Sequence, residues 1–431
     1  MQDFETYDVG IVGAGGAGII FTLEYAKLNP EHKILLLEYG KSSNNQDNEL
    51  DDTIINKNLI NHHDPYECTN KGLGGSTATW GGRCVMYDEV DFIDREIVQG
   101  GCTWDKALFN EVNKYIDISS EYFECGTSTF NINKIQNLEL SRIAENFVEG
   151  EVTDSILERW SMPTRFGKRY RNEILNNKDI SLLEGWELLN IEKQGNQVTH
   201  IVIQELSSNK NLNIAVGKLI ISAGTQETTR ILLKNKHIFS TVPKSLGKYY
   251  QGHLSGKIAT VKFFGKPDKT DFGFQKENET FIRRRFQFST DFLVKNNLLN
   301  TAIWLDNPLY FDPIHKSGAM SFMYLAMITP IIGKKLAPPA IAHSVTKGKV
   351  FKVGSHIMNI VRDFPKSFVV PIKTFYGRYI LKRKLPGVFL YSPENKYALH
   401  FHSEQIPFIG NEMVLAEDGK SLIKLNFQIK A

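Results

Sequence analysis

Residues 7–38 constrain this chain more than any other stretch. Tyr7–Val12 (YDVGIV) is a short run rich in β-formers. Gly13-Ala14-Gly15-Gly16-Ala17-Gly18 follows at once. Ile19, Ile20, Leu23, Ala26 and Leu28 then recur at helical spacing until Asn29-Pro30 stops the helix. Lys33–Leu37 (KILLL) reads as a fully buried strand, and it ends at Glu38. Strand, glycine turn, helix, strand and acid, in that order, make a dinucleotide-binding unit. Gly13 permits the tight turn out of the strand. Gly15, with Gly16 beside it, lets backbone approach a pyrophosphate. Gly18 allows close packing of helix on strand. The helix N-terminus offers orphan N–H groups to phosphate. Glu38 stands twenty residues beyond Gly18, where an acid accepts from ribose hydroxyls and disfavours a 2′-phosphate, which argues against NADP. Motif and acid alone do not distinguish FAD from NAD.

A second glycine-rich stretch follows a polar, loop-like segment (39–71). Residues 72–83 read GLGGSTATWGGR, with five glycines between 72 and 82. That is too many for a packed strand and suits backbone pressed against a flat ligand. Ser76 and Thr77 offer hydroxyls and N–H groups to phosphate, and Trp80 is a candidate wall for a ring. A flexible surface loop is the competing reading, but a solvated linker does not normally carry an embedded Trp.

Gly74-Gly75-Ser76-Thr77 with Trp80-Gly81-Gly82 resembles the flavin loop of the glucose–methanol–choline (GMC) oxidoreductases, especially the pyranose-oxidase-like branch. Members of that branch can carry a flavin-linking His just before this Trp. Thr79 stands there in this chain, so the resemblance implies non-covalent FAD. Gly101-Cys-Thr-Trp104 with an amphipathic helix over Lys106–Phe123 is similar to another family segment. Leu182–Ile191 with Val198–Glu205 looks like the family's strands beside the adenine, which puts Leu188 near that ring. Lys218–Leu233 is similar to its returning strand, turn and helix. By physics alone this is a second phosphate-facing crossover, with a small-residue turn at Ala223-Gly224. Leu246–His253 resembles the lead into a substrate domain, and His402–Pro407 the family's Glu-Gln-x-Pro strand. Glu404 and Gln405 are thereby substrate candidates, with a structural tie between the sheet and a neighbouring loop as the equal alternative.

The same resemblance implies a further C-terminal segment carrying a catalytic His. The sequence ends at Gln428-Ile-Lys-Ala431, with no His after Pro407. No catalytic residue is therefore named. The expectations are a truncated or frame-shifted enzyme, a divergent enzyme with another base, or a flavin-binding remnant without activity. His253, His400 and His402 are candidate substitute bases, each set against an ordinary structural role.

From Gly256 onward the text changes. Ile258–Phe264, Thr280–Ser289, Thr301–Asp306, Tyr397–His402, Met413–Ala416 and Leu422–Phe427 are strand-like, several with alternation, and imply a mainly antiparallel substrate domain. Residues 308–390 read as helices and long loops. The apolar stretch Gly318–Gly333 is too short, and too interrupted by Pro330, for a membrane span. A buried helix is the simpler reading, with a peripheral membrane contact as the alternative. Arg378, Lys382, Arg383 and Lys384 are a candidate contact for an anionic substrate or lipid headgroup, against a plain solvated face.

The expected fold class is α/β plus α+β: a Rossmann-like FAD-binding domain and a second domain on a mainly antiparallel sheet. The expected boundaries are 1–100 and 166–255 for the FAD domain, 101–165 for substrate-domain or cap helices and 256–431 for the substrate domain. A net charge of +3, from 51 basic and 48 acidic residues, argues against a nucleic-acid binder. Four cysteines without a CxxC pair make neither a disulfide scaffold nor a metal site. An N-terminus with no basic or apolar leader points to the cytoplasm. The leading expectation is an FAD-dependent oxidoreductase acting on CH–OH groups of a small alcohol or sugar, with its electron acceptor unnamed. The rivals are an inactive nucleotide-binding remnant and an NAD-dependent dehydrogenase.

Overall fold

The computed structural model describes residues 5–41, 54–56, 69–98, 104–135, 142–161, 164–265, 270–307, 309–329, 333, 346, 350–381, 383–387, 389–390, 392–417, 423–425 and 428. His62, His63, Cys68, Cys102, Pro330 and Lys382 lie outside them. The chain begins with β1 (Glu5–Val12), α1 (Gly16–Leu28), β2 (Ile34–Glu38), β3 (Ile54–Asn56) and β4 (Arg83–Cys84). Next come α2 (Lys106–Asn113), α3 (Ile116–Phe123), β5 (Val152–Trp160), α4 (Phe166–Asn176), β6 (Ile180–Glu184), β7 (Trp186–Gln194), β8 (Gln197–Glu205), β9 (Asn211–Ile221) and α5 (Gly224–Lys234). Then follow β10 (Leu254–Lys262), β11 (Gln275–Glu277), β12 (Thr280–Phe288), α6 (Thr290–Lys295), β13 (Thr301–Asp306) and α7 (Gly318–Ile328). The last elements are α8 (Val353–Arg362), α9 (Lys366–Phe375), β14 (Lys396–Ser403), β15 (Met413–Leu415) and β16 (Ile423–Leu425).

Two compact units divide the chain. The first comprises 1–80, 164–252 and 407–431, and the second 81–163 and 253–406. The first unit holds a six-stranded sheet in the order β6-β2-β1-β9-β8-β7. β6, β2, β1 and β9 run parallel, and β8 and β7 return antiparallel. β2 is buried at every position, as its unbroken ILLLE demands in the middle of a parallel sheet. Its register sets Ile11 beside Leu36 on one flank and Leu36 beside Leu182 on the other. A continuous core of Leu35, Leu37, Ile191, Ile201, Ile203, Ile214 and Val216 packs beneath. The fold class is thus α/β here, with both expected crossovers in one sheet.

The second unit is built on an antiparallel sheet, β10-β14-β13-β12-β5-β4, with β11 on β12. Three differences from the sequence reading stand out. β5 lies in the region read as helices, and it is a strand of this sheet paired to β12 along most of its length. The expected single helix 106–123 is two, α2 and α3, separated by Lys114-Tyr115. β15 and β16 join β3 in a small three-stranded sheet of the first unit, although the text from 256 to 431 read as one substrate domain.

Candidate nucleotide site

The first unit contains a cleft of about 520 Å³, within the range of roughly 300–1,000 Å³ usual for ligand pockets. Its floor is the first glycine turn, contributing Gly13, Gly15 and Gly16. Glu38 stands at the end of β2, and Gly75, Ser76 and Thr77 come from the second loop. Leu188, Ala223 and Gly224 complete the predicted residues that line it. Gly18, Gly74, Trp80, Gly81 and Gly82 do not.

The glycines divide by task. A Cβ on Gly18 would run into the Gly13 carbonyl, and one on Gly13 would sit 2.7 Å from Ala223 Cα. These two glycines let chain segments of the protein meet. Gly15 and Gly224 differ, because a Cβ on either would find no atom within 4 Å. Both face open space in the cleft, as backbone that approaches a ligand must.

The second loop is docked on the first. Gly74 N–H donates to the Ala14 carbonyl at 2.8 Å, and Gly15 and Gly74 form a parallel bridge. Gly74 has φ +100°, a left-handed conformation that glycine adopts without strain. Thr77 Oγ1 donates to the Gly74 carbonyl at 2.6 Å and accepts from Phe166 N–H at 3.2 Å. Its hydroxyl therefore holds the loop. Trp80 donates to the Thr164 carbonyl at 3.1 Å and meets the Phe166 ring edge-on at 6.4 Å.

Glu38 is buried and already engaged. Its carboxylate accepts from Ala14 N–H at 2.8 Å, Gly72 N–H at 2.8 Å and Gly40 N–H at 3.0 Å. One acid thus ties the first glycine loop to the start of the second. Burial raises its pKa, against the lowering effect of the three N–H donors. A carboxylate offers about four acceptor positions, so room is left for one ribose hydroxyl.

Two helix N-termini face the cleft. Neither α1 nor α5 has a side-chain cap, and α1 has no acid in its first turn. Uncapped N–H groups of this kind are suited to phosphate oxygens. Gln226 adds a buried side-chain oxygen with no hydrogen-bond partner. The open glycines, the uncapped helices and this orphaned acceptor together fit a dinucleotide.

Sequence reasoning missed one wall of the cleft. Arg230 is buried and pairs with Glu227 and, at 2.9 Å, with Glu187; Lys234 joins Glu187 at 3.1 Å. Burial works against the Arg230 charge, but Glu227 and Glu187 outweigh it and raise its pKa. The Glu227–Arg230 spacing is visible on a helix. Its partner on β7 is not.

The second unit holds the remaining candidates. Glu404 forms two 2.9 Å hydrogen bonds with Arg95 and accepts from Asn300 N–H at 2.8 Å. That places it in the sheet-to-loop tie. Gln405 is buried. His253, His400 and His402 do come together. The His400 ring stacks on Trp304 at 4.5 Å, and the His402 ring lies 5.4 Å from that of His253. Arg83 and Arg283 lie over the Trp304 ring at 4.7 Å and 5.9 Å, and both pair with the fully buried Glu158. Burial, with Arg83 next, holds the His402 pKa down to about 4, and burial lowers that of His400. Such imidazoles stay neutral and are weak proton acceptors, so the setting does not favour either as a base at neutral pH. Among the described residues no group of three or more His, Cys, Asp or Glu could hold a metal ion.

No protein family and no curated protein matches the chain. Among 254 matching solved chains are a pyridoxine 4-oxidase from Mesorbium loti and a fungal aryl-alcohol oxidase. The first is 15% identical over 53% of this chain, with a TM-score of 0.36, and this chain covers 52% of it. The second is 13% identical over 99% of this chain and 79% of its own, with a TM-score of 0.44. At these values both are likenesses only, and the reading of the site rests on its geometry.

Proposed function

We propose that the chain is an FAD-dependent oxidoreductase that acts on CH–OH groups of a small alcohol or sugar. The observation that carries this is the docking of the second glycine loop on the first, so that both, with the 223–224 crossover, line one cleft. A nicotinamide-only site leaves residues 72–77 without a role. Gly15, Gly16 and the α1 N-terminus would hold the pyrophosphate. Glu38 would accept one ribose hydroxyl while keeping both loops in place. Leu188 would lie against the adenine, and Gly75, Ser76 and Thr77 would approach the flavin half. FAD, when bound, supplies the capacity to take a hydride, two electrons with one proton, from carbon. Thr79 in place of a linking His leaves the cofactor non-covalent.

The test is an absorption spectrum of the purified chain, followed by heat release and chromatography of any ligand. Flavin bands with free FAD in the supernatant are expected. A colourless protein that binds NAD and refuses FAD overturns the reading. With FAD in place, reduction by a panel of primary alcohols and sugars tests the activity. A yellow chain that no member of the panel reduces would leave a nucleotide-binding protein without this chemistry.

A further inference from the structure

The helices α8 and α9 of the second unit are amphipathic in the wrong sense for a surface in water. The residues they bury most fully are polar. His356 is fully buried, with its ring nitrogens 3.0 Å from Ser321 Oγ and 3.2 Å from the Phe311 carbonyl oxygen. Asn359, one turn on, donates to the Pro313 carbonyl at 2.9 Å and to Ser321 Oγ at 3.2 Å. Ser367 is fully buried and donates to the Ile360 carbonyl at 2.9 Å. The outward residues are large and apolar. Val361 is 64% exposed, Phe364 70% and Ile372 66%, and Ile357, Met358 and Phe375 are more than half exposed. Single exposed apolar side chains are ordinary, but a contiguous run on two successive helices marks a surface that something else covers.

The charge of the same stretch says what. Residues 350–384 hold eight Lys or Arg and one acid, Asp363, a surplus of seven in a chain whose net charge is +3. The rest of the chain is therefore net acidic. Asp363 is itself turned to the protein, accepting from Gly318 N–H at 3.1 Å. Lys352, Arg362, Lys366 and Lys373 are exposed beside the apolar residues. Two copies of such a face would set like charges against each other. An anionic lipid surface accepts both features, the apolar side chains at the acyl boundary and the cations among the headgroups. Among the described residues no helix is long and apolar enough to cross a membrane, so the contact is in plane.

We propose that α8, the Asp363–Pro365 turn and α9 form a docking face for an anionic lipid bilayer. The face is independent of the cofactor reading, since none of its residues lines the nucleotide cleft. The experiment is co-sedimentation of the full chain with phosphatidylcholine vesicles, with and without 30 mol% phosphatidylglycerol (roughly the anionic load such electrostatic binding needs). Binding to the anionic vesicles, weakened by salt, is expected. The double variant Val361→Asp, Ile372→Asp should reduce it by about tenfold or more, since two apolar anchors become anions. Both positions are exposed, and an unchanged circular-dichroism spectrum checks the fold. In a Phe364→Trp variant, the added fluorescence should shift to the blue on anionic vesicles only. Absence of sedimentation overturns the proposal. So does binding that the double variant leaves intact. A concentration-dependent dimer that the double variant abolishes, without vesicle binding, overturns it in favour of a second copy.

Discussion

The two large sheets of this protein differ in what they bury beside their apolar cores. In the first unit β2 is ILLLE, buried throughout, and its neighbours are apolar where they face the core. In the second unit β5 and β12 bury Asp154, Glu158, Arg159 and Arg285. Glu158 meets Arg83 and Arg283, Arg159 meets Glu277, and Asp154 meets Arg142 and Arg284. An apolar interior tolerates volume-conserving exchange of one hydrocarbon side chain for another. A charged one holds only while every partner is in place, since an ion left unpaired in low dielectric is costly.

The largest expected effect follows from that difference. Glu158→Gln removes the negative charge shared by Arg83 and Arg283 and should cost about 3–5 kcal/mol, read by urea denaturation. Burial alone would raise the Glu158 pKa, but Arg283, Arg83 and Arg285 outweigh it and lower the value. A group depressed in the folded state stabilises above its unfolded pKa, about 4.3 for Glu. That contribution is lost as pH falls below this value toward the folded pKa. The wild-type chain should therefore lose stability on acidification more steeply than the variant. A loss below about 1 kcal/mol would mean that the arginines find other partners, and the comparison between the sheets would fail.

A middling effect separates the two classes of glycine in the first unit. Gly18→Ala pushes a methyl group into the Gly13 carbonyl and should cost about 1–3 kcal/mol of stability. Gly15→Ala has open space and should leave the melting temperature alone. Its methyl group instead enters the cleft, and FAD affinity should drop by about tenfold, measured by flavin fluorescence. Equal stability losses in the two variants would show that the 13–18 turn is purely structural.

The same contrast explains what could be read from the sequence. Residues 7–38 and 218–233 were legible because apolar runs, glycines and an acid at fixed spacing carry local meaning. β5 was not, because VTDSILERW places Asp154, Glu158 and Arg159 where a buried strand should be apolar. Their partners at 83, 277, 283 and 284 are distant in sequence. The strands 413–415 and 423–425 were found, but not their pairing with 54–56, since strand text does not specify its sheet. At the site, Glu38 was identified from its position. Its three backbone donors were not, because they depend on how the 72–77 loop folds back. The outward face of α8 and α9 was hidden by the ordinary assumption that the apolar side of a helix points inward.

The smallest effect tests whether the second loop is held by the protein or by its ligand. Thr77→Val keeps the shape of the side chain and removes the hydroxyl. The Gly74 carbonyl loses a donor and Phe166 N–H loses an acceptor. With both groups buried, the cost should be about 1–3 kcal/mol, near the lower end if water reaches either one. If the loop is built by these bonds, the variant should bind FAD more weakly, because binding must now order residues 74–77 as well. Added FAD should then raise the melting temperature of the variant less than that of the wild type at the same FAD concentration, because ligand stabilisation grows with the ratio of concentration to Kd. Equal shifts would mean that Gly74 and its bond to Ala14 hold the loop without Thr77. The backbone pairing of the two glycine loops would then be sufficient to shape the cleft.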